Sequence, residues 1–548
     1  MSYVKKWVGE KISSVRRWWS PEKAKPRLPR TNGRDYSCMK DSFENLVLKG
    51  GGAKGIAYIG AAKVLDEARI LPNIKRFAGT SAGAITATML AIGMKPEEML
   101  EELSQRNLMD LLDPPVGLLS GLSKLPRILF ILPSWLTMKN ISMALSAMTD
   151  RGACEGDEFL DWFGDILDRH LARLHPFKKG LDKDITFDTL YHVLGKELCI
   201  VAYNMVLGNE IYFHVKTTPM MKIKEAVRMS MSIPGVFKPF GIPGSPYTFI
   251  DGGLAANYPL WAFDGWYLSM KEEDFFQERL MSTLDAGQTV RQMFHPEYRR
   301  ERFGTRNDKT LGILLFSSED REMYQEQFEK RQEEFKPAEI KPEYDTELYK
   351  DYKEKTEKSK KEQIASYEKV EVLVGQDVKR MIEGTDGQIT EALVIKRRPD
   401  LPVISKEEAK QLFNEIFSEE DLAFLGAPSK EEAFDFLMIN EEKNLTSDRL
   451  RKIYKNFGPL QLARRAYLGH RLVSTPRQYF GTMLEFVGRQ SGITDEDVPR
   501  SIAIDVGYVG TMDFDMATED MEFLMRQGAA GTIAFLEEKK DGLGKRRE

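Results

Sequence analysis

The chain has 548 residues, of which 42% are hydrophobic and 30% charged, with a net charge of -5. Such a length exceeds one ordinary core and predicts about two to four domains, or one large domain carrying insertions, while so small a net charge excludes a global preference for nucleic acid. Cys38, Cys154 and Cys199 are too scattered for a disulfide framework or a C-x-x-C metal site, and no apolar run reaches the ~18 residues that span a bilayer.

Residues 1–30 hold nine Lys and Arg against Glu10 and Glu22, a local charge of +7. Within them Val4, Trp7, Val8, Ile12, Val15, Trp18 and Trp19 recur at helical spacing between basic side chains. Such a helix can lie on an anionic membrane, or it can pack on the parent domain with its basic side in water. Basic residues also interrupt it too often for a signal-peptide core. Pro21, Pro26, Pro29 and Gly33 mark residues 20–40 as a linker.

The folded core begins with an apolar strand, Phe43–Leu48, running into Gly50-Gly51-Gly52-Ala53-Lys54-Gly55 and then a helix from Ile56 to Ala68. Strand, glycine turn and helix open an α/β unit, and such a turn leaves N–H groups free at a helix start. Gly50, Gly52 and Gly55 fit the dinucleotide fingerprint, yet the acidic residue that should follow about 20 positions on is missing. A P-loop fails as well, because Ile56-Ala57 follows Gly55. Two readings remain: a merely tight turn, or an oxyanion hole made by the Gly51 and Gly52 N–H groups with Lys54 adding positive potential.

Next comes Phe77-Ala78-Gly79-Thr80-Ser81-Ala82-Gly83, a G-x-S-x-G turn between a short strand and a helix reaching Ile92. This turn type exposes a serine hydroxyl at the end of a sheet. Residues 95–110 are expected to be helical and exposed. Residues 111–138 are apolar but broken by Pro114, Pro115, Pro126 and Pro133, which suits an apolar rim touching lipid or a face buried against an insert.

Phe159, Trp162, Phe163, Ile166 and Leu167 form a helical stripe. Strands are predicted over Glu197–Tyr203 and Glu210–Val215, joined by a hairpin turn. A small-residue helix follows over Ala226–Ser232, and a strand over Tyr247–Ile250 ends in Asp251-Gly252-Gly253. Asp-Gly is a common turn pair, but a carboxylate at a core strand end also suits a site. A serine nucleophile needs a base. The late histidines His295 and His470 sit among charged residues, so Asp251 is the simpler base for Ser81.

The three motifs Gly50–Gly55, Gly79–Gly83 and Asp251–Gly253, in this order, together with Ala226–Pro239 before the aspartate, resemble those of the patatin-like phospholipase family. The resemblance implies a three-layer α/β/α fold and a Ser81–Asp251 dyad. It further implies an oxyanion loop of Gly50, Gly51, Gly52 and Lys54, with Gly55, Gly79, Gly83, Gly252 and Gly253 supporting the motifs. It implies ester hydrolysis of phospholipid or lysophospholipid with no metal and no cofactor. Thr310–Phe316 reads as a core strand, the highly charged 319–363 as a solvated helical insert, 405–490 as helical, Ser501–Val506 as one more strand, and Asp520–Gln527 as a helix stopped by Gly528 before a final helix through Phe535. The expected division is a basic segment and linker at 1–40, the main catalytic part at 41–316, a charged, mainly helical insert at 317–495, closing elements at 496–540 and a tail at 541–548. Membrane contact is expected through 1–19 and 111–138, a protein activator or partner at the insert, and a cytoplasmic, membrane-peripheral location. The competing functions are an inactive membrane-surface scaffold with this fold and a dinucleotide-binding oxidoreductase.

Overall fold

In the computed structural model, residues 25–29, 33–104, 152–282, 286–316 and 493–545 are described, with shorter pieces between 328 and 437. The 3–19 and 111–138 segments lie outside the described residues, as do His470 and most of the 319–363 and 405–490 stretches. The chain divides into two compact units, one of Met1–Leu348 with Val473–Glu548 and one of Tyr349–Leu472.

The first unit contains β1 (Asn45–Leu48), β2 (Arg76–Thr80), β3 (Gly152–Cys154), β4 (Glu197–Asn204), β5 (Asn209–Phe213), β6 (Gly235–Phe237), β7 (Phe240–Gly241), β8 (Thr248–Asp251) and β9 (Thr310–Phe316). The second unit contributes an antiparallel pair, β10 (Gln376–Ile382) and β11 (Glu391–Arg397), and a helix over Lys430–Leu437. The chain then returns to the first unit as β12 (Ser501–Asp505). Its helices include α1 (Ala57–Glu67), α2 (Ala82–Ala91), α3 (Pro96–Ser104), α4 (Asp157–Leu174), α5 (Ile223–Ser230) and α6 (Thr518–Lys545).

Among the described residues the main sheet has eight strands in the order β12-β9-β1-β2-β4-β8-β7, with β5 also on β4. From β12 to β4 all neighbours are parallel; β8, β7 and β5 are antiparallel additions. Val47, Ala78, Cys199, Val201, Leu314 and Ala503 form one cluster with Tyr258 and Leu260. The alternate residues Leu46, Phe77, Ile200, Ile313 and Ile504 are equally buried. Burial of both sets means the sheet is covered on both faces, as parallel sheets require. It is an α/β fold with a mixed sheet. No described helix is long and apolar enough to cross a membrane.

Chain order places β1 between β2 on one side and β9 on the other. From β1 the chain moves to β2 and from β9 it moves the opposite way to β12, so the switch point, where open α/β sheets hold their ligands, lies between β1 and β9, with the loop leaving the carboxyl end of β1 beside it and the loop leaving β2 one strand further on. The β1 loop is the Gly50–Gly55 turn and the β2 loop holds Ser81.

Two expectations change. Gly528 does not stop the last helix: α6 runs unbroken from Thr518 to Lys545, so residues 541–545 are helical. A Cβ at Gly528 would lie 1.9 Å from the Ala57 carbonyl oxygen, and one at Gly60 1.8 Å from that of Met525. These glycines let α1 and α6 touch backbone to backbone; packing, not chain breaking, explains Gly528. Nor is the 95–110 region simply exposed: α3 buries Met99, Leu100 and Leu103. Buried Glu102 receives hydrogen bonds from both Arg169 terminal nitrogens, at 2.8 Å each.

Candidate active site

Ser81 caps the start of α2 with φ 54° and ψ -125°. Among the described residues only Arg69 shares a positive φ without being glycine. A side chain held there is strained, and the surrounding structure must enforce it. The flanking glycines make the enforcement possible. A Cβ on Gly79 would come within 2.2 Å of the Gly83 oxygen, and one on Gly83 within 2.4 Å of the Leu48 oxygen. The G-x-S-x-G spacing thus follows from a turn so tight that its shoulders touch each other and the end of β1.

Asp251 ends β8, opposite Ala202 of β4, while Thr80 lies beside Val201 on the other edge of β4. The serine and the aspartate therefore meet at one level of the sheet, with the Ser81 side chain close enough to the Asp251 carboxylate to favour its ionised form. Both residues are only 6% exposed. Burial raises the Asp251 pKa to about 6, although the Gly253 N–H bond and the Ser81 side chain work in the opposite direction. The Gly253 N–H donates to Asp251 Oδ1 at 2.6 Å. Gly252 lies so close to β4 that a Cβ there would be 2.2 Å from the Val201 oxygen.

The glycine loop is divided in use. Gly50 N–H donates to the Asn257 carbonyl at 2.8 Å, which removes it from the expected anion hole. Among the described residues the Gly51 and Gly52 N–H groups donate to no backbone carbonyl. Gly52 has φ +53°, and the next residue, Ala53, donates to the Thr511 oxygen at 3.0 Å. Lys54 is buried, with its N–H on the Gly51 carbonyl. Gly55 packs on Ala82, just after the serine. The expected hole thus narrows to Gly51 and Gly52, on the loop beside the serine turn.

Sequence reasoning gave the 226–239 stretch no physical role, and the structure supplies one. Ser230 Oγ accepts the Ser81 N–H at 2.9 Å and donates to the Val201 carbonyl at 2.6 Å. The Ser232 carbonyl accepts the Asp251 N–H at 2.9 Å. One short segment therefore holds the backbones of both Ser81 and Asp251. Arg228 anchors that segment: fully buried, it donates to Ser232 Oγ at 2.6 Å and to the Gly156 and Lys238 carbonyls. Asn257, also unassigned from sequence, closes the loop on Gly50. The two serines two residues apart were the available signal, because hydroxyls are the side chains able to bond backbone groups locally.

Ser230→Ala is expected to leave the Ser81 N–H without its acceptor, destabilising the fold by ~1–3 kcal/mol. It should lower kcat more than it changes KM. Melting curves and steady-state kinetics on one preparation check both; an unchanged kcat would remove Ser230 from a positioning role.

Residues 46–264 match the model of the patatin-like phospholipase family. The YqhO protein of Bacillus subtilis is 30% identical over 227 residues, covering 40% of this chain and 65% of its own length. A probable lipid hydrolase of Invertebrate iridescent virus 6 is 28% identical over 230 residues, covering 42% of this chain and 66% of its own. The chain thus spans slightly less than two thirds of these relatives. Among solved structures, VipD from Legionella pneumophila aligns with TM-score 0.35 and 14% identity over 91% of this chain and 67% of its own.

Proposed function

We propose that this chain, a member of the patatin-like phospholipase family through its residues 46–264, hydrolyses carboxylic ester bonds of membrane phospholipids or lysophospholipids. The observation that carries the reading is a buried carboxylate, Asp251, brought beside a backbone-strained serine at the carboxyl end of β2. Asp251 takes the Ser81 proton as Oγ attacks the acyl carbon, and the Gly51 and Gly52 N–H groups receive the oxyanion. The proton then passes to the departing lyso-lipid or glycerol oxygen, leaving the acyl group on Ser81. A water that gives its proton to Asp251 attacks this ester, and collapse returns the proton to Ser81 with release of the fatty acid. Lys54 adds positive potential behind the loop.

A base whose pKa lies near 6 is half ionised near pH 6 and mostly ionised at neutral pH, while remaining basic enough to take a proton, as a general base requires. Because Asp251 must be unprotonated to act, kcat/KM is expected to rise with pH through an inflection near 6 and level off above it. A pH series at constant ionic strength checks this, and a profile with no inflection between about 5 and 7 would remove Asp251 as the base.

The functional test is direct. Purified full-length chain should react with a fluorophosphonate at Ser81 and release fatty acid from phosphatidylcholine and lysophosphatidylcholine vesicles, identified by mass spectrometry. Absence of both signals would leave a lipid-surface scaffold in place of an enzyme.

A further inference from the structure

The β4–β5 hairpin leaves the sheet at the same end as Ser81, because β4 is parallel to β2. Its tip is Met205-Val206-Leu207-Gly208, and the three apolar side chains are 54%, 55% and 52% exposed. The Met205 N–H donates to the Thr248 carbonyl at 2.8 Å, so the β7–β8 hairpin stands beside it with Tyr247 39% exposed. Hairpin tips in water ordinarily carry Asn, Asp and Gly. Here residues 203–209 and 239–250 contain no charged side chain, although a chain that is 30% charged would place about six in such a length.

The backbone of the tip is also unusually self-contained. The Val206 and Leu207 N–H groups donate to Asn204 Oδ1 at 2.9 and 3.0 Å, and the Gly208 N–H donates to the Asn204 carbonyl at 2.9 Å. With Met205 on Thr248, four consecutive donors have partners inside the protein. In the neighbouring hairpin Pro243 and Pro246 have no N–H, and the Ser245 N–H donates to the Ile242 carbonyl at 3.0 Å. Water makes no such demand on an exposed turn, whereas hydrocarbon does, since an unsatisfied donor there is costly. Tyr247 adds the ring type that settles at a lipid–water boundary.

We infer that the paired hairpin tips, Met205–Leu207 with Tyr247, insert into a lipid bilayer and hold the Ser81 end of the sheet against it. The inference rests on the proposed lipid hydrolysis for its purpose, and on the tips themselves for its geometry. Ala202 is level with Asp251 and β4 ends at Asn204, so the turn begins two residues, roughly 7 Å along the strand, beyond the dyad. Interfacial elements sink ~5–10 Å, which leaves the serine within about a headgroup's depth of the surface.

The test uses full-length protein with Ser81→Ala as background for binding and the active chain for hydrolysis. Val206→Asp with Leu207→Asp should reduce flotation with phosphatidylcholine–phosphatidylglycerol vesicles about tenfold, and vesicle hydrolysis with it. Hydrolysis of a soluble short-chain nitrophenyl ester should change less than about twofold, which also shows that the variant folds. Leu207→Trp should give an emission maximum that shifts to the blue on adding vesicles. Flotation unchanged by the two aspartates, no response of the Leu207→Trp emission to vesicles, or a wild-type chain that does not float would each overturn the inference. Should the wild type hydrolyse neither ester nor lipid, the enzyme reading fails while flotation and emission still decide the docking.

Discussion

Replacing Ser81 by alanine is expected to lower kcat/KM for phospholipid ester hydrolysis on the order of 10⁴-fold or more, and Asp251→Asn should lower it comparably. In the proposed mechanism the two groups act in the same step, so the double variant should be no slower than the worse single one. Additive losses would mean that serine and aspartate serve different reactions. Stability should move the other way. The folded pKa of Asp251 is about 6 against an ordinary 3.8, so its favourable contribution is complete below pH ~4 and is lost as pH rises through ~6. At neutral pH the ionised carboxylate costs roughly 3 kcal/mol. Asp251→Asn removes that charge and should melt higher than the parent, most clearly above pH 6. A lower melting temperature at pH 7.5 would contradict the burial account of this carboxylate.

Arg228→Met is the second large effect. The guanidinium is 1% exposed and lies over Phe237 and Phe240, at 5.1 and 5.7 Å from their ring centres. Methionine fills much of the volume but leaves Ser232 Oγ and the Gly156 and Lys238 carbonyls without their donor in the interior. The loss of a buried, multiply bonded charge of this kind costs ~3–5 kcal/mol, equivalent to a melting temperature lower by on the order of 10 °C. Arg228 takes no part in the proposed chemistry, yet activity should fall as well, because Ser232 holds the Asp251 backbone. Arg228→Lys keeps the charge with fewer donors and should recover only part of both properties. Stability close to the parent in Arg228→Met would show that the 226–239 segment is held by packing alone.

Local rules were readable where one short segment decides the outcome. Phe43–Leu48, Gly79–Gly83 and Thr310–Phe316 announce themselves by apolar runs ending in glycine or small residues, and β1, the Ser81 turn and β9 stand there. What could not be read depends on partners distant in sequence. Gly528 has the composition of a helix stop, but its reason is the Ala57 carbonyl across an interhelical contact. Glu102 belongs by type on a wet surface and is buried because Arg169 and His170 reach it. The Gly50 amide looked available until Asn257, about two hundred residues later, proved to accept it. Ser230 and Ser232 were visible as residues but not as supports, since a side chain's bond to a remote backbone leaves no periodic trace.

The strand β4 stands between the two halves of the site, with β2 and Ser81 on one edge and β8 and Asp251 on the other. It therefore acts as a fixed gauge. Ser81 and Asp251 are spaced by the width of one hydrogen-bonded strand, whose own carbonyl at Val201 also fixes Ser230. In the proposed mechanism the reacting pair is therefore assembled by the sheet itself before a lipid arrives. Control of such a site must act on delivery of the acyl ester to it, and an effector that altered the rate would be expected to change KM or surface binding while leaving the pH profile of the chemistry in place.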